Sequence, residues 1–126
     1  MKIIKSKDME FIPASHEDPQ DPGVLKKILV EKDDLVKGRV QMINWAKLLP
    51  QKEFVAHYHE DMQEIFMILN GEAKFIINDK EETVRKGDIV VVPIKRVHSM
   101  KNETDEAIEY IVMGVATGED GKTIVV

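Results

Sequence analysis

The feature that most constrains this chain is what it lacks: from residue 39 onward almost nothing repeats with helical period. Short β-like runs follow one another at 39–49, 53–59, 65–69, 72–77, 82–84, 89–92, 98–101 and 107–115, and turn chemistry separates most of them. Many short strands at this spacing predict an all-β sandwich or barrel. Upstream, residues 24–30 read as a strand bounded by a polar turn at 31–34, and residues 2–5 as a short edge strand. Between them, Pro13, Pro19 and Pro22 punctuate a loop, since proline lacks the amide that a sheet ladder needs. This divides the chain into an N-terminal arm with a Pro-rich loop, 1–23, and one barrel domain, 24–126.

Composition agrees with a single folded unit. The chain has 126 residues, 43% hydrophobic and 33% charged, enough for one core and short for two. Its net charge of −5 comes from 23 acidic and 18 basic side chains, a balance that argues against nucleic acid as partner. The longest β-like apolar run, 89–94, is far below a membrane span, and the Met1-Lys2-Ile3-Ile4-Lys5 start lacks a signal-peptide core, so a cytoplasmic location and no membrane contact are expected. There is no cysteine. Disulfides, thiolate metal sites and cysteine nucleophiles are therefore excluded, and any metal must sit on nitrogen and oxygen.

Asn70-Gly71 lies between two apolar runs and predicts a two-residue type I′ hairpin, because both residues accept positive φ. The register would set Leu69 against Glu72, Phe66 against Phe75 and Glu64 against Ile77. One face then carries Glu64, Phe66, Ile68, Ala73, Phe75 and Ile77. The other carries Ile65, Met67, Leu69, Glu72, Lys74 and Ile76 and is itself substantially apolar, so it needs partial cover from a second layer or a partner subunit.

Within this pattern stands His57-Tyr58-His59, with Glu64 five residues on and His98 farther along. Two residues apart on a strand, His57 and His59 project from one face. Glu64 shares a face with phenylalanines, where a carboxylate is costly unless a cation or donor neutralises it. A divalent metal would do so, with positions left for water or substrate. Taken singly, each residue has a plainer reading as a surface or satisfied core side chain.

The wider spacing reads H-x-H-x4-E-x6-G from His57 to Gly71 and G-x5-P-x-K-x2-H-x3-N from Gly87 to Asn102, with 15 residues between. This resembles the two motifs of the cupin superfamily at the separation found in small single-domain members, over roughly residues 39–115. Gln51 and Lys95 stand where the family pattern usually has glycine, both in turns. The resemblance implies a double-stranded β-helix, a jelly-roll-like barrel, with His57, His59, Glu64 and His98 at the metal-ligand positions. It implies one divalent transition metal per chain, Fe, Mn, Ni, Co or Zn, and a homodimer, for which the second apolar face is an independent reason.

Period-two counting extends the inward set. It places Val55 and Glu53 behind His57, Met100 beyond His98, Ile108, Tyr110 and Val112 on the last strand, and Met42, Asn44 and Ala46 on the first long one. Asn44, Phe66, Phe75, Met100, Ile108 and Val112 are the expected pocket lining, and Tyr110 the candidate catalytic hydrogen-bond donor. Arg39, Gln41, Ile43, Trp45 and Lys47 are expected to face outward, and His16 to be exposed. The functional expectation is a metal-dependent dioxygenase, isomerase or decarboxylase acting on a small polar or carbonyl-containing molecule. The alternative is a non-catalytic module that binds metal and a small ligand.

Overall fold

The computed structural model describes residues 1–118 and 122–126. Two antiparallel sheets face each other. The first has the order β1 (Ile12–Pro13), β2 (Val24–Glu31), β3 (Val40–Leu48), β10 (Ile108–Ala116), β5 (Met62–Ile68) and β8 (Ile89–Val92). The second has the order β11 (Thr123–Val125), β4 (His57–His59), β9 (His98–Lys101), β6 (Glu72–Ile77) and β7 (Lys80–Arg85). This is the all-β double-stranded β-helix expected. Two 3-10 turns, Ser6–Asp8 and Lys32–Asp34, are the only helical elements among the described residues, and no helix is long and apolar enough to cross a membrane.

The core lies between the sheets, and the strands alternate accordingly. Along β10 every second residue from Ile108 to Ala116 is buried, as are Met62, Glu64, Phe66 and Ile68 along β5. Phe66 and Phe75 meet across the interior edge to face, with ring centroids 5.1 Å apart. Transfer of such side chains from water is the main stabilising term, about 1.5–3 kcal/mol for each large one.

The predicted 65–77 hairpin does not form. β5 pairs with β10 and β8, β6 pairs with β7 and β9, and the two strands lie in opposite sheets. Asn70 explains why. Its side-chain amide donates to the Ala107 carbonyl at 3.0 Å, and its oxygen accepts the Glu109 amide at 2.6 Å, so it ties the corner to the start of β10. Gly71, at φ 72°, turns the chain into the other sheet. Two residues of positive φ do close a hairpin at Asn78 and Asp79 (φ 48° and 67°), where Ile77 pairs with Lys80. The predicted inward set nonetheless faces the core, because strand alternation is indifferent to which neighbour a strand pairs with.

The N-terminal arm also differs from expectation. Residues 2–5 form no strand; Ile12 and Pro13 do, opposite Lys26 and Leu25. Ala14 then enters the core cluster.

Candidate metal centre

The two sheets bring four side chains together at one end of the interior. His57 and His98 face each other across the β4–β9 pair, His59 lies two residues along β4, and Glu64 comes from β5 in the opposite sheet. All four are buried, and one ligand atom from each lies within 4.8 Å of the others. Glu64 Oε1 is 2.8 Å from His59 Nε2, 3.0 Å from His98 Nε2 and 3.8 Å from His57 Nε2.

The outer ring nitrogens fix how these imidazoles are presented. His57 Nδ1 donates to the Val55 carbonyl at 2.7 Å and His98 Nδ1 to the Arg96 carbonyl at 3.0 Å. A carbonyl only accepts, so both Nδ1 atoms carry a proton, and Nε2 is the ring atom each turns inward. Thr123 Oγ1, on the neighbouring β11, sits 3.0 Å from His59 Nδ1. Three inward nitrogens thus converge on one carboxylate oxygen. Neutral rings would oppose lone pairs to that oxygen, whereas three imidazolium ions would repel one another in a buried site. A divalent cation among the four resolves both, and the outer hydrogen bonds are of the kind that orient metal-binding histidines. The residues therefore fit a metal.

The electrostatics follow from the same contacts. Burial acts to raise the Glu64 pKa, but the surrounding imidazoles of His57, His59 and His98 outweigh it and hold the carboxyl well below the usual range. For His57, burial acts to lower the pKa, and the nearby Glu64 carboxylate together with the Val55 carbonyl carries it above the ordinary histidine value. Aromatic rings back the cluster: Phe54 lies 5.5 Å from His57, and Phe75 stacks parallel to His98 at 6.2 Å.

Beside the tetrad opens a cavity of about 250 Å³. Of the residues expected to line it, Asn44, Phe66, Val112 and Tyr110 do so. Phe75, Met100 and Ile108 are buried in the core outside the lining, Ile108 on the same face of β10 as Tyr110 and Val112 but at the strand's start. Val55 and Glu53 do not line it either. Instead Phe54 does, since β4 begins only at His57 and period-two counting fails before it. Glu53 is exposed and accepts a hydrogen bond from Ser99 at 2.9 Å. Gln41, expected outside, also lines the cavity. A bulge explains it, because Gly114 pairs with Met42 and Val115 with Val40, so Gln41 has no opposite number. Tyr110 is buried, and desolvation together with the Glu64 charge holds its hydroxyl protonated far above neutral pH.

His16 is not exposed. Its ring centroid lies 4.4 Å from that of His57, and burial together with the nearby His57 pushes its pKa down to about 4, so it is neutral near neutral pH. The Pro-rich loop is held in place by Glu17, 8% exposed. Its two oxygens accept the amides of Gly23 at 2.8 Å and Val55 at 2.9 Å. Sequence reasoning missed His16, Glu17 and Lys26, which also lines the cavity. A Pro-rich segment carries no period, and lysines at both 26 and 27 hide which face of β2 points inward.

The chain belongs to the cupin family, whose Cupin domain model matches residues 44–114. Among curated proteins it is similar to an uncharacterized protein of Methanocaldococcus jannaschii, 26% identical over 102 residues covering 81% of this chain and 78% of the relative. It is also similar to an oxalate-binding protein of Thermotoga maritima, 31% identical over 80 residues, covering 64% of this chain and 66% of that one. Among solved structures, a predicted oxalate decarboxylase of Thermotoga maritima superposes with a TM-score of 0.80 at 23% identity, covering 91% of this chain and 99% of that one.

Proposed function

We propose that His57, His59, Glu64 and His98 hold one divalent transition metal, Fe, Mn, Ni, Co or Zn, and that the protein is a metal-dependent enzyme acting on a small polar or carbonyl-containing molecule. The chemistry would be of the dioxygenase, isomerase or decarboxylase type. The observation that carries this reading is the convergence of three Nε2 atoms on one oxygen of Glu64 beside a cavity. A bound divalent ion supplies Lewis acidity and coordination positions for ligand oxygens. The chain's own residues do the rest: Phe54, Phe66 and Val112 exclude water, Asn44 offers a polar contact, and Tyr110 presents a hydroxyl that stays protonated and serves as donor rather than base.

A non-catalytic metal- and ligand-binding module is the second reading. It is favoured by the absence, among the described cavity residues, of a carboxylate outside the tetrad to serve as base, and by the oxalate-binding relative. Metal-loaded and chelator-treated protein incubated with small keto and hydroxy acids separates the two. The enzyme reading expects product only from the loaded protein; ligand-induced thermal stabilisation without product supports the module.

We further infer a homodimer. Met67 on β5 and Ile89 and Val91 on the adjacent β8 are exposed on the outer sheet face, with Met67 opposite Ile89 and Val91 opposite the half-buried Ile65. A second copy supplies a self-complementary apolar cover. Sedimentation velocity is expected to give a dimer for the wild type and a monomer for Val91→Lys.

A further inference from the structure

We propose that Lys26 and Asn44 form a second binding pole of the cavity, and that the ligand is a small carboxylate bearing a hydroxyl or other hydrogen-bond donor next to its acid group. The proposal rests on the metal reading above and narrows its substrate class.

Among the described residues, Lys26 is the only lysine or arginine lining the cavity, and Glu64, within the tetrad, is the only carboxylate. The Lys26 side chain is half-buried, and its ammonium has no ion-pair or hydrogen-bond partner among the described residues. Desolvation lowers its pKa, the signature of a cation with no anion to offset its burial. With a divalent ion in the tetrad, the cavity holds two centres of positive charge against one carboxylate. Such a field selects an anion.

Asn44 supplies the second half of the recognition. On the β2–β3 pair Lys26 stands opposite Ala46, and Asn44 lies two residues along β3 on the same face. Ala46, opposite Lys26, presents only a methyl group on that face. Asn44 is 7% exposed, and its Oδ1 is buried with no hydrogen-bond partner. A buried acceptor left unmatched is costly, so a ligand that brings a donor gains by occupying it. A carboxylate for Lys26 and a neighbouring hydroxyl for Asn44 describe a hydroxy acid. The cavity of about 250 Å³ is below the roughly 300–1,000 Å³ of sites for larger ligands, so the acid must be compact. One lysine suits a single carboxylate better than a phosphate dianion.

Calorimetric titration of the full-length, metal-loaded chain with lactate, propionate, lactamide and inorganic phosphate tests this, with metal content measured in every sample. Wild type is expected to prefer lactate to the other three. Lys26→Met should weaken lactate about 10- to 100-fold, the loss of one charge-assisted hydrogen bond, while leaving lactamide binding and metal content unchanged; Lys26→Arg should restore most of the affinity. Asn44→Leu should abolish the preference for lactate over propionate. Lactate binding by Lys26→Met equal to wild type, or no lactate binding by wild type, overturns the proposal, as does tighter binding of phosphate. A wild type that takes up no metal counts against the metal reading alone, and the lactate titration of the metal-free wild type and Lys26→Met still decides the role of Lys26.

Discussion

Glu17 and Val55 are joined directly: the buried carboxylate of the first accepts the backbone amide of the second at 2.9 Å. The other Glu17 oxygen accepts the Gly23 amide at 2.8 Å, and a Cβ at Gly23 would come within 2.9 Å of it. The Pro-rich loop is thereby clamped to the segment leading into β4, at the same residue whose carbonyl accepts from the His57 ring. Glu17→Ala is expected to cost about 1–3 kcal/mol in urea denaturation, from two buried amides left unpaired, and to speed hydrogen exchange at Gly23 and Val55. A loss under about 0.5 kcal/mol with unchanged exchange would show that the clamp does not bear on the loop.

The two turns that depart from the family's glycine pattern should respond differently to its restoration. Gln51 and Lys95 both hold left-handed backbone, at φ 60° and 61°, where a side chain costs about 1–2 kcal/mol. Lys95→Gly should raise stability by about 0.5–1 kcal/mol, since the Lys95 amide keeps its bond to the His59 carbonyl at 2.7 Å. Gln51→Gly should show no gain, because the Gln51 side chain donates to the carbonyls of Glu103 and Thr104 at 3.2 and 3.1 Å. Chemical denaturation of the two variants side by side checks this.

Asn102, the last residue of the second motif, acts on structure rather than on the ligand. It is 1% exposed. Its amide donates to the carbonyls of Leu48, Leu49 and Glu106, and its oxygen accepts from the Thr104 amide and hydroxyl. Asn102→Ala should cost about 3 kcal/mol or more, as expected when a buried network loses its centre. Metal content per folded chain should be unchanged.

Much of the site was legible in the sequence because strand alternation is local. His57 and His59 share a face whatever lies beside them, and the inward parity of β5, β6 and β10 could be read without knowing their partners. Pairing was not legible. Asn70-Gly71 carries hairpin chemistry, yet the Asn70 side chain spends its hydrogen bonds on β10, a partner 37 or more residues away that no local rule identifies. Gln41 turned inward through a bulge set by strand pairing, and His16 through a clamp made by Glu17. Both depend on long-range contacts.

Tyr110 offers a direct probe of the cavity's chemistry. Its hydroxyl is held protonated by burial, so Tyr110→Phe should leave folding and metal content intact. If the hydroxyl serves as donor to bound ligand, the variant should weaken binding or turnover about tenfold. An unchanged ligand titration removes Tyr110 from the site's working residues.

The central claim is that four buried side chains hold one metal ion. Tag-free protein, loaded with Mn, Fe, Co, Ni or Zn and freed of excess, should carry one equivalent per chain by elemental analysis. His59→Ala and Glu64→Ala, verified as folded by circular dichroism, should lose most of it. A wild type that retains no metal, or folded variants that retain as much as the wild type, would contradict the account.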